Sequence, residues 1–406
     1  MRLLWYGETP YIETGAGQVA KHLLPLFLRL FERVHLVPIN QWWEQKNLPE
    51  RLTIAPHKET EEHWNMENAR NAILARDYDC LFLTADINRI EDLREEIEQV
   101  VLAGIPIIMY AAVDSMLFAR NFYDILRVAT RAVVFSHWAR SFVQRMQPDI
   151  PLKVIYHGAE PDVFYPLPDF ARREARKRLF NVEDDTFVVL NVNRNQARKD
   201  IARSMAAFHL FHLENPDSVM YVHAKQIDYG GNLPLQAAAL GMKVHAPGAE
   251  IFFAPEAYSE SIGVSRSELN NIYNSADAFI TSSTGEGWGL TTVECMAAGT
   301  PIIAPNNSVF PEQLGEPFSW AGDYSPADRG LLVKSGGPDL WATFYGFSDC
   351  PRPICSVTGM KNALLDVYRY SSLAADRAVL ARRWAASHAW DHVCAQWEKL
   401  IVGVLR

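Results

Sequence analysis

The 406-residue sequence has no apolar run long enough to cross a bilayer. A spanning helix needs about 20 consecutive apolar residues, and the longest stretch here, residues 23–31, is broken by Pro25 and Arg29. It reads as an amphipathic core helix. The opening residues 1–7 run straight into a glycine turn without the apolar centre of a signal peptide, so a cytoplasmic protein is expected. Cysteine is scarce: there are five, irregularly spaced, which fits a reducing compartment. Cys350 and Cys355 flank a proline-rich turn, but no second pair or His cluster completes a zinc site, and they read as structural. Positive charge is not in excess either. A formal net charge of −9 argues against a surface built mainly to neutralise a phosphate backbone. No repeat of solenoid period is present.

What is there points to a globular α/β protein. Hydrophobic residues make up 49% and charged residues 21% of a chain long enough for two domains. Eleven Trp and twenty Phe supply core, with some aromatic surface left over for sugars. Strand-like runs at 3–6, 34–38, 80–84, 105–110, 132–135 and 153–156 alternate with helical patterns near 90–102, 116–130 and 138–146. That alternation predicts a parallel sheet covered on both faces. The acidic segment 59–67 reads as a solvated face. After a proline-stiffened exit at 161–168 the pattern restarts with strands near 187–193, 219–224, 251–254 and 278–280. Two terminal helices are expected, near 357–370 and 390–404.

The most informative stretch follows the strand 278–280. Thr281-Ser282-Ser283-Thr284-Gly285-Glu286-Gly287-Trp288-Gly289-Leu290 is a glycine-broken turn, and a small-residue helix then runs to Gly299. Such a turn aims backbone N–H groups and a positive helix end at one point, which suits a phosphate. Gly287, Trp288, Gly289 and Leu290 form the expected cradle. Glu286 and Glu294, eight positions apart, bracket it. A diphosphate held there has room for a sugar beside Glu286 and a ribose beside Glu294, each carboxylate accepting hydroxyl hydrogen bonds. No Asp-x-Asp metal motif lies near this stretch.

Glu286 to Glu294, the Gly-Trp-Gly-Leu between them and the trailing Ala-Ala-Gly-Thr-Pro resemble the signature of family-4-type retaining glycosyltransferases of the GT-B fold. The resemblance implies two doubly wound, Rossmann-like domains facing across a cleft. Residues 1–167 would form the acceptor-side domain, with the helix 390–406 packing back onto it, and residues 168–389 the nucleotide-sugar domain. Arg194 and Lys199, five apart at the end of a first strand, match the family's diphosphate-clamping pair, a planar fork beside a mobile point charge. Gly15 and Gly17 match its glycine loop near the donor diphosphate. The same glycines loosely fit a dinucleotide fingerprint, but they do not directly follow the strand, and the second strand ends in Ile39-Asn40 without the acid an NAD site needs.

Many relatives carry a His or a Pro-Val-Asp element after the fourth strand. Here Tyr110-Ala111-Ala112-Val113-Asp114 offers no His, which leaves Asp114 as the nearest polar candidate. Ser136-His137-Trp138-Ala139 and the segment from His157-Gly158 to Pro166 resemble a cap and hinge of the family, and the loop 255–265 lies where relatives meet the base. The resemblance implies retention of configuration, no bound metal, no cofactor, and a UDP- or GDP-linked sugar as co-substrate. A glycan or small hydroxyl compound is the default acceptor. Residues 1–167 hold 17 Lys and Arg against 22 Asp and Glu, which weakens lipid and nucleic-acid acceptors. A modified DNA base stays open as an alternative, as does a nucleotide-sugar epimerase of the same fold.

Overall fold

The computed structural model describes residues 1–39, 47–56, 64–116, 121–244, 248–255, 263–317, 322–343 and 350–406. It divides into two compact units, Met1–Gly158 with Trp390–Arg406, and Ala159–Ala389. Each carries a seven-stranded sheet.

In the first unit the sheet order is Leu52–Ile54, Arg33–Pro38, Arg2–Gly7, Cys80–Asp86, Ile107–Ala112, Arg131–Val134 and Leu152–Val154, every neighbouring pair parallel. The strands are continuous apolar runs because both faces are covered: Leu3, Leu4, Trp5 and Tyr6 are all buried. Helix Gly15–Leu30 covers one face with Val19, Leu23 and Phe27, and Phe27 meets Trp5 edge-on at 5.0 Å. The stretch 23–31 is thus core. Helix Trp390–Leu405 covers the same sheet with Trp397, whose ring lies 5.3 Å from that of Phe82 and 4.7 Å from that of Tyr110. Arg29 also grips Glu398 bidentately at 2.9 and 2.8 Å. Gly158 is required where the chain leaves the unit, since a β carbon there would sit 2.6 Å from the Cα of Trp390.

The division falls after Gly158, about nine residues before the exit read from the prolines. Residues 160–167 belong with the second unit because their groups bond into it. The N–H groups of Tyr165 and Leu167 donate to the side chains of Asn270 and Asn274, at 3.2 and 2.7 Å, and Phe164 packs on Tyr273.

The second sheet runs Ile251–Phe253, Ser218–His223, Phe187–Val192, Ala278–Ile280, Ile302–Pro305, Gly330–Val333 and Tyr324–Ala327. All pairs are parallel except the last, an antiparallel edge. Three helices, not two, end the chain: Val357–Arg369, Ser371–Ser387 and Trp390–Leu405. The middle one buries only alanines, Ala374, Ala378, Ala381 and Ala385. Its apolar stripe is too weak for hydropathy to show, yet small side chains let it lie close to its neighbours.

Two other expectations change. The helix near 90–102 is two, Ile87–Glu91 and Arg94–Leu102, and the described residues of 116–130 form the short turns Asn121–Asp124 and Ile125–Val128. Residues 59–63 of the acidic segment and 256–262 of the base-side loop lie outside the described residues. None of the five cysteines forms a disulfide. No helix among the described residues is long and apolar enough to cross a membrane.

Candidate functional site

In the second sheet the chain winds outward in one direction from Phe187–Val192 and in the other from Ala278–Ile280. Between two such neighbours the connections leave on opposite sides, and the carboxyl ends of the strands open onto a crevice. The loops 193–200 and 281–289 follow these two strands and are stitched together. Thr284 donates from its backbone N–H and its hydroxyl to the Arg198 carbonyl, at 2.8 and 3.0 Å, and the Ser282 hydroxyl donates to the Asp200 carbonyl at 2.6 Å. Beneath them Asn191 Nδ2 donates to the Ile280 carbonyl at 3.0 Å. The Ser, Thr and Asn residues of the two loops thus act as main-chain staples.

Glu286 stands at the centre of this assembly and is 7% exposed. Its Oε1 pairs with Lys199 Nζ, and its Oε2 takes Arg198 Nη1 at 3.4 Å. Its backbone N–H donates to Ser308 Oγ at 3.0 Å, so a third strand end, after Ile302–Pro305, also fixes it. Burial alone would raise the pKa of this carboxyl. The Lys199 and Arg198 charges outweigh burial and hold it below the ordinary carboxylate range.

Arg194, expected beside Lys199, is turned outward, and its Nε meets Asp228 Oδ2 at 3.4 Å. Asp228 belongs to a two-residue ribbon, Ile227–Asp228 against Gly231–Asn232, that is fastened to the same loop. Asn195 Nδ2 donates to the Gly231 carbonyl at 2.8 Å, and the Gly230 N–H donates to the Asn195 carbonyl at 3.0 Å.

Helix Leu290–Ala298 begins at Gly289, whose φ of +77° is the left-handed conformation that glycine adopts without strain. Glu286 Cγ lies 3.6 Å from where a β carbon on Gly289 would stand. No side chain caps this helix; the Thr292 and Val293 N–H groups bond back to the Gly289 carbonyl at 3.1 and 3.3 Å, and the Leu290 and Thr291 N–H groups precede the first of these bonds. Gly287 is half-buried in the turn. Trp288 can contribute to the cradle through its main chain alone. Its side chain is buried, its ring stacks on Trp384 with centroids 6.1 Å apart, and its carbonyl accepts from Gln313 Nε2. Only its main chain can serve a ligand.

Glu294 lies further along the helix, away from the lysine. Tyr273 donates its hydroxyl to Oε2 at 2.8 Å, and Arg266 Nη1 meets Oε1 at 3.3 Å. Arg266 also pairs with Glu160 and lies 4.6 Å over the Phe164 ring. Burial raises the pKa of Glu294, and Arg266 and the Tyr273 hydroxyl pull against that shift. Each carboxylate oxygen has two lone pairs, so both can take a further hydroxyl donor.

Residues 261–342 match the family model of glycosyl transferases group 1. The chain is 27% identical over 205 residues to a D-inositol 3-phosphate glycosyltransferase of Corynebacterium jeikeium (strain K411), covering 48% of this chain and 42% of that protein. Over residues 261–342 this chain is similar to the glycosyl transferases group 1. Its alignments span about two-fifths of the length of the first curated relatives it matches. The sucrose-phosphate synthase of Thermosynechococcus elongatus superposes with a TM-score of 0.72 at 15% identity, covering 100% of this chain and 99% of that one. Anabaena Alr3699/HepE, solved in complex with UDP-glucose, superposes at 0.68 with 14% identity, covering 99% and 100%. The fold is GT-B.

Three candidate residues lie in the first unit. Gly15 and Gly17 open helix Gly15–Leu30, whose N-cap Thr14 accepts the Gly17 N–H at 3.0 Å. Asp114 follows the strand Ile107–Ala112 and is half-buried. Both lie at the carboxyl edge of that unit's sheet. His157 is structural: it is buried among Tyr110, Phe135 and Trp390, bonds to the Tyr110 hydroxyl at 2.6 Å, and burial depresses its pKa to about 3.

The sequence patterns pass over Arg198, Ser308, Arg266 and Tyr273. Arg198 carried a signal as the neighbour of Lys199. Tyr273 and Arg266, 21 and 28 residues before Glu294, carried none.

Proposed function

We propose that the chain is a retaining, metal-independent glycosyltransferase that moves a hexose from a UDP- or GDP-linked donor to a hydroxyl of a glycan or small soluble acceptor. The observation that carries this reading is the buried group of Lys199, Arg198 and Glu286 at the switch point of the second sheet, four residues before a helix that lacks a side-chain cap. Phosphate suits such a helix start, and a carboxylate poised beside cations suits a sugar whose phosphate bond is breaking. UDP-glucose bound to Anabaena Alr3699/HepE supports a nucleotide sugar as the ligand class.

In the step proposed, the bond from the anomeric carbon to the β-phosphate oxygen breaks and that oxygen keeps the electron pair. The acceptor oxygen bonds to the anomeric carbon on the same face, and its proton passes to the leaving phosphate oxygen. Lys199, the helix start and Arg194, once exchanged from Asp228, take up the charge on the diphosphate. The five unpaired cysteines suit a cytoplasmic setting. Incubation with radiolabelled UDP- and GDP-sugars tests the reading. Label transferred to an acceptor, or released as free sugar, supports it. Donor returned with a changed sugar configuration would make the chain an epimerase, and label on DNA would move the acceptor class.

Two results are expected. Turnover survives EDTA undiminished, because cationic side chains and a helix start neutralise the diphosphate. Loss in EDTA with rescue by Mg²⁺ or Mn²⁺ would contradict metal independence. Glu294→Gln raises the dissociation constant of the nucleoside diphosphate about tenfold or more and leaves kcat at saturating donor near normal, since a ribose hydroxyl loses a charged acceptor. Calorimetric titration with UDP and GDP reads the affinity. An unchanged constant in the folded variant would remove the ribose from Glu294.

A further inference from the structure

Two adjacent cations divide one buried carboxylate, and they are held differently. Arg198 Nη1 donates to the Gly285 carbonyl at 3.0 Å as well as meeting Glu286 Oε2 at 3.4 Å. The Arg198 carbonyl in turn accepts both bonds from Thr284. Arg198 is therefore tied, by side chain and main chain, to the turn that carries Glu286. To leave for an entering anion, Arg198 would have to give up the Gly285 carbonyl as well as Glu286, so it is the more tightly tethered of the two cations. Lys199 reaches Glu286 Oε1 with a compact ammonium on a flexible stem, a group that can change partners.

We propose that Arg198 is the positioning residue of Glu286, holding its carboxylate in place while Lys199 exchanges that carboxylate for the diphosphate of the nucleotide sugar. The proposal rests on the glycosyltransferase reading above. Its physical basis is the cost of an uncompensated buried charge. The Glu286 side chain is 9% exposed, so a diphosphate that took Lys199 would strand the carboxylate unless a second cation remained. Arg198 is that cation, and its second bond keeps the carboxylate aimed. Among the described residues, the groups acting on the Glu286 side chain are Lys199, Arg198 and the Ser283 hydroxyl, while Ser308 takes its backbone N–H. Lys199 and Arg198 keep it ionised, so losing one of them moves its titration upward.

The test compares the full-length wild type with Arg198→Gln and Arg198→Lys. It reads UDP and GDP affinity by calorimetry, kcat at saturating donor, and the acid limb of the kcat–pH profile. Arg198→Gln is expected to leave nucleoside diphosphate affinity within about threefold and to lower kcat by about 10²-fold, the scale of a disturbed transition-state contact. It also shifts the acid limb to higher pH. Arg198→Lys keeps the charge but not the fork, so kcat falls by about tenfold and the acid limb stays in place. This variant carries the test if the glutamine variant does not fold.

Weakened nucleotide binding with unchanged kcat would make Arg198 a ligand of the diphosphate and overturn the proposal. Loss of thermal stability alone, with kcat and the acid limb unmoved, would reduce it to scaffold. A wild-type chain that turns over no nucleotide sugar brings down the reading of function, and the proposal with it. An active wild type with unaffected Arg198 variants overturns the proposal alone.

Discussion

Glu286→Gln lowers turnover by about 10²-fold or more, the scale of a lost electrostatic contact in the transition state, and leaves nucleotide affinity near the wild-type value. The side chain reaches Lys199 and Arg198 and does not cap the helix, which begins at Gly289 without a side-chain cap. Glutamine keeps the size and most of the hydrogen bonding but removes the charge that steadies a developing oxocarbenium ion. The pKa of Glu286 is lowered in the fold, so its ion pairs contribute stability above the unfolded value of 4.5 and lose it as pH falls through the lower folded value. The variant should accordingly show less acid-side change in stability than the wild type. Steady-state turnover, calorimetric UDP and GDP affinity, and thermal unfolding against pH check the three parts. Wild-type turnover in the folded variant would remove Glu286 from the chemistry.

Lys199→Ala lowers kcat by about 10²–10³-fold, more than it raises KM, because charge on the leaving diphosphate peaks in the transition state. Arg194→Ala should follow the same pattern more weakly, since Arg194 lies at the rim on Asp228 while Lys199 is buried on Glu286. Removing Lys199 also leaves Glu286 with Arg198 alone. Stripping one partner from a buried pair commonly costs about 3–5 kcal/mol, and the retained arginine should hold the loss below that. Single-turnover kinetics on the folded variant separate chemistry from binding. Near-normal turnover there would mean that the lysine serves only to balance Glu286.

Most of the architecture was legible because strands buried on both faces are written as unbroken apolar runs, as in residues 187–192 and 278–280. The signature helix was legible too, since Gly299 closes it with a φ of +83°. Helix Ser371–Ser387 was not: a stripe of alanines buries well while barely registering as hydrophobic. Within the site, the sequence patterns singled out Lys199 and Glu286, which the fold brings together, and passed over Arg198. Adjacent residues on a loop point wherever its hydrogen bonds send them, and here the Thr284 bonds turn Arg198 inward. Nor does spacing show that the Trp288 ring is sealed against Trp384, more than ninety residues away.

The return of residues 390–406 to the first unit sets an order of events during synthesis. Residues 159–389 are one uninterrupted stretch, whereas the first unit draws on residues from both sides of it. The first unit, although made earlier, must wait with Phe82 and Tyr110 uncovered until Trp397 arrives. Loop closure over roughly three hundred residues is entropically costly only in the logarithm of its length. The delay is nonetheless real, and it leaves an apolar face exposed on the half-made chain, where partly folded intermediates are most prone to aggregate. The first unit, begun earlier, thus receives its last residues after the second unit has received all of its own.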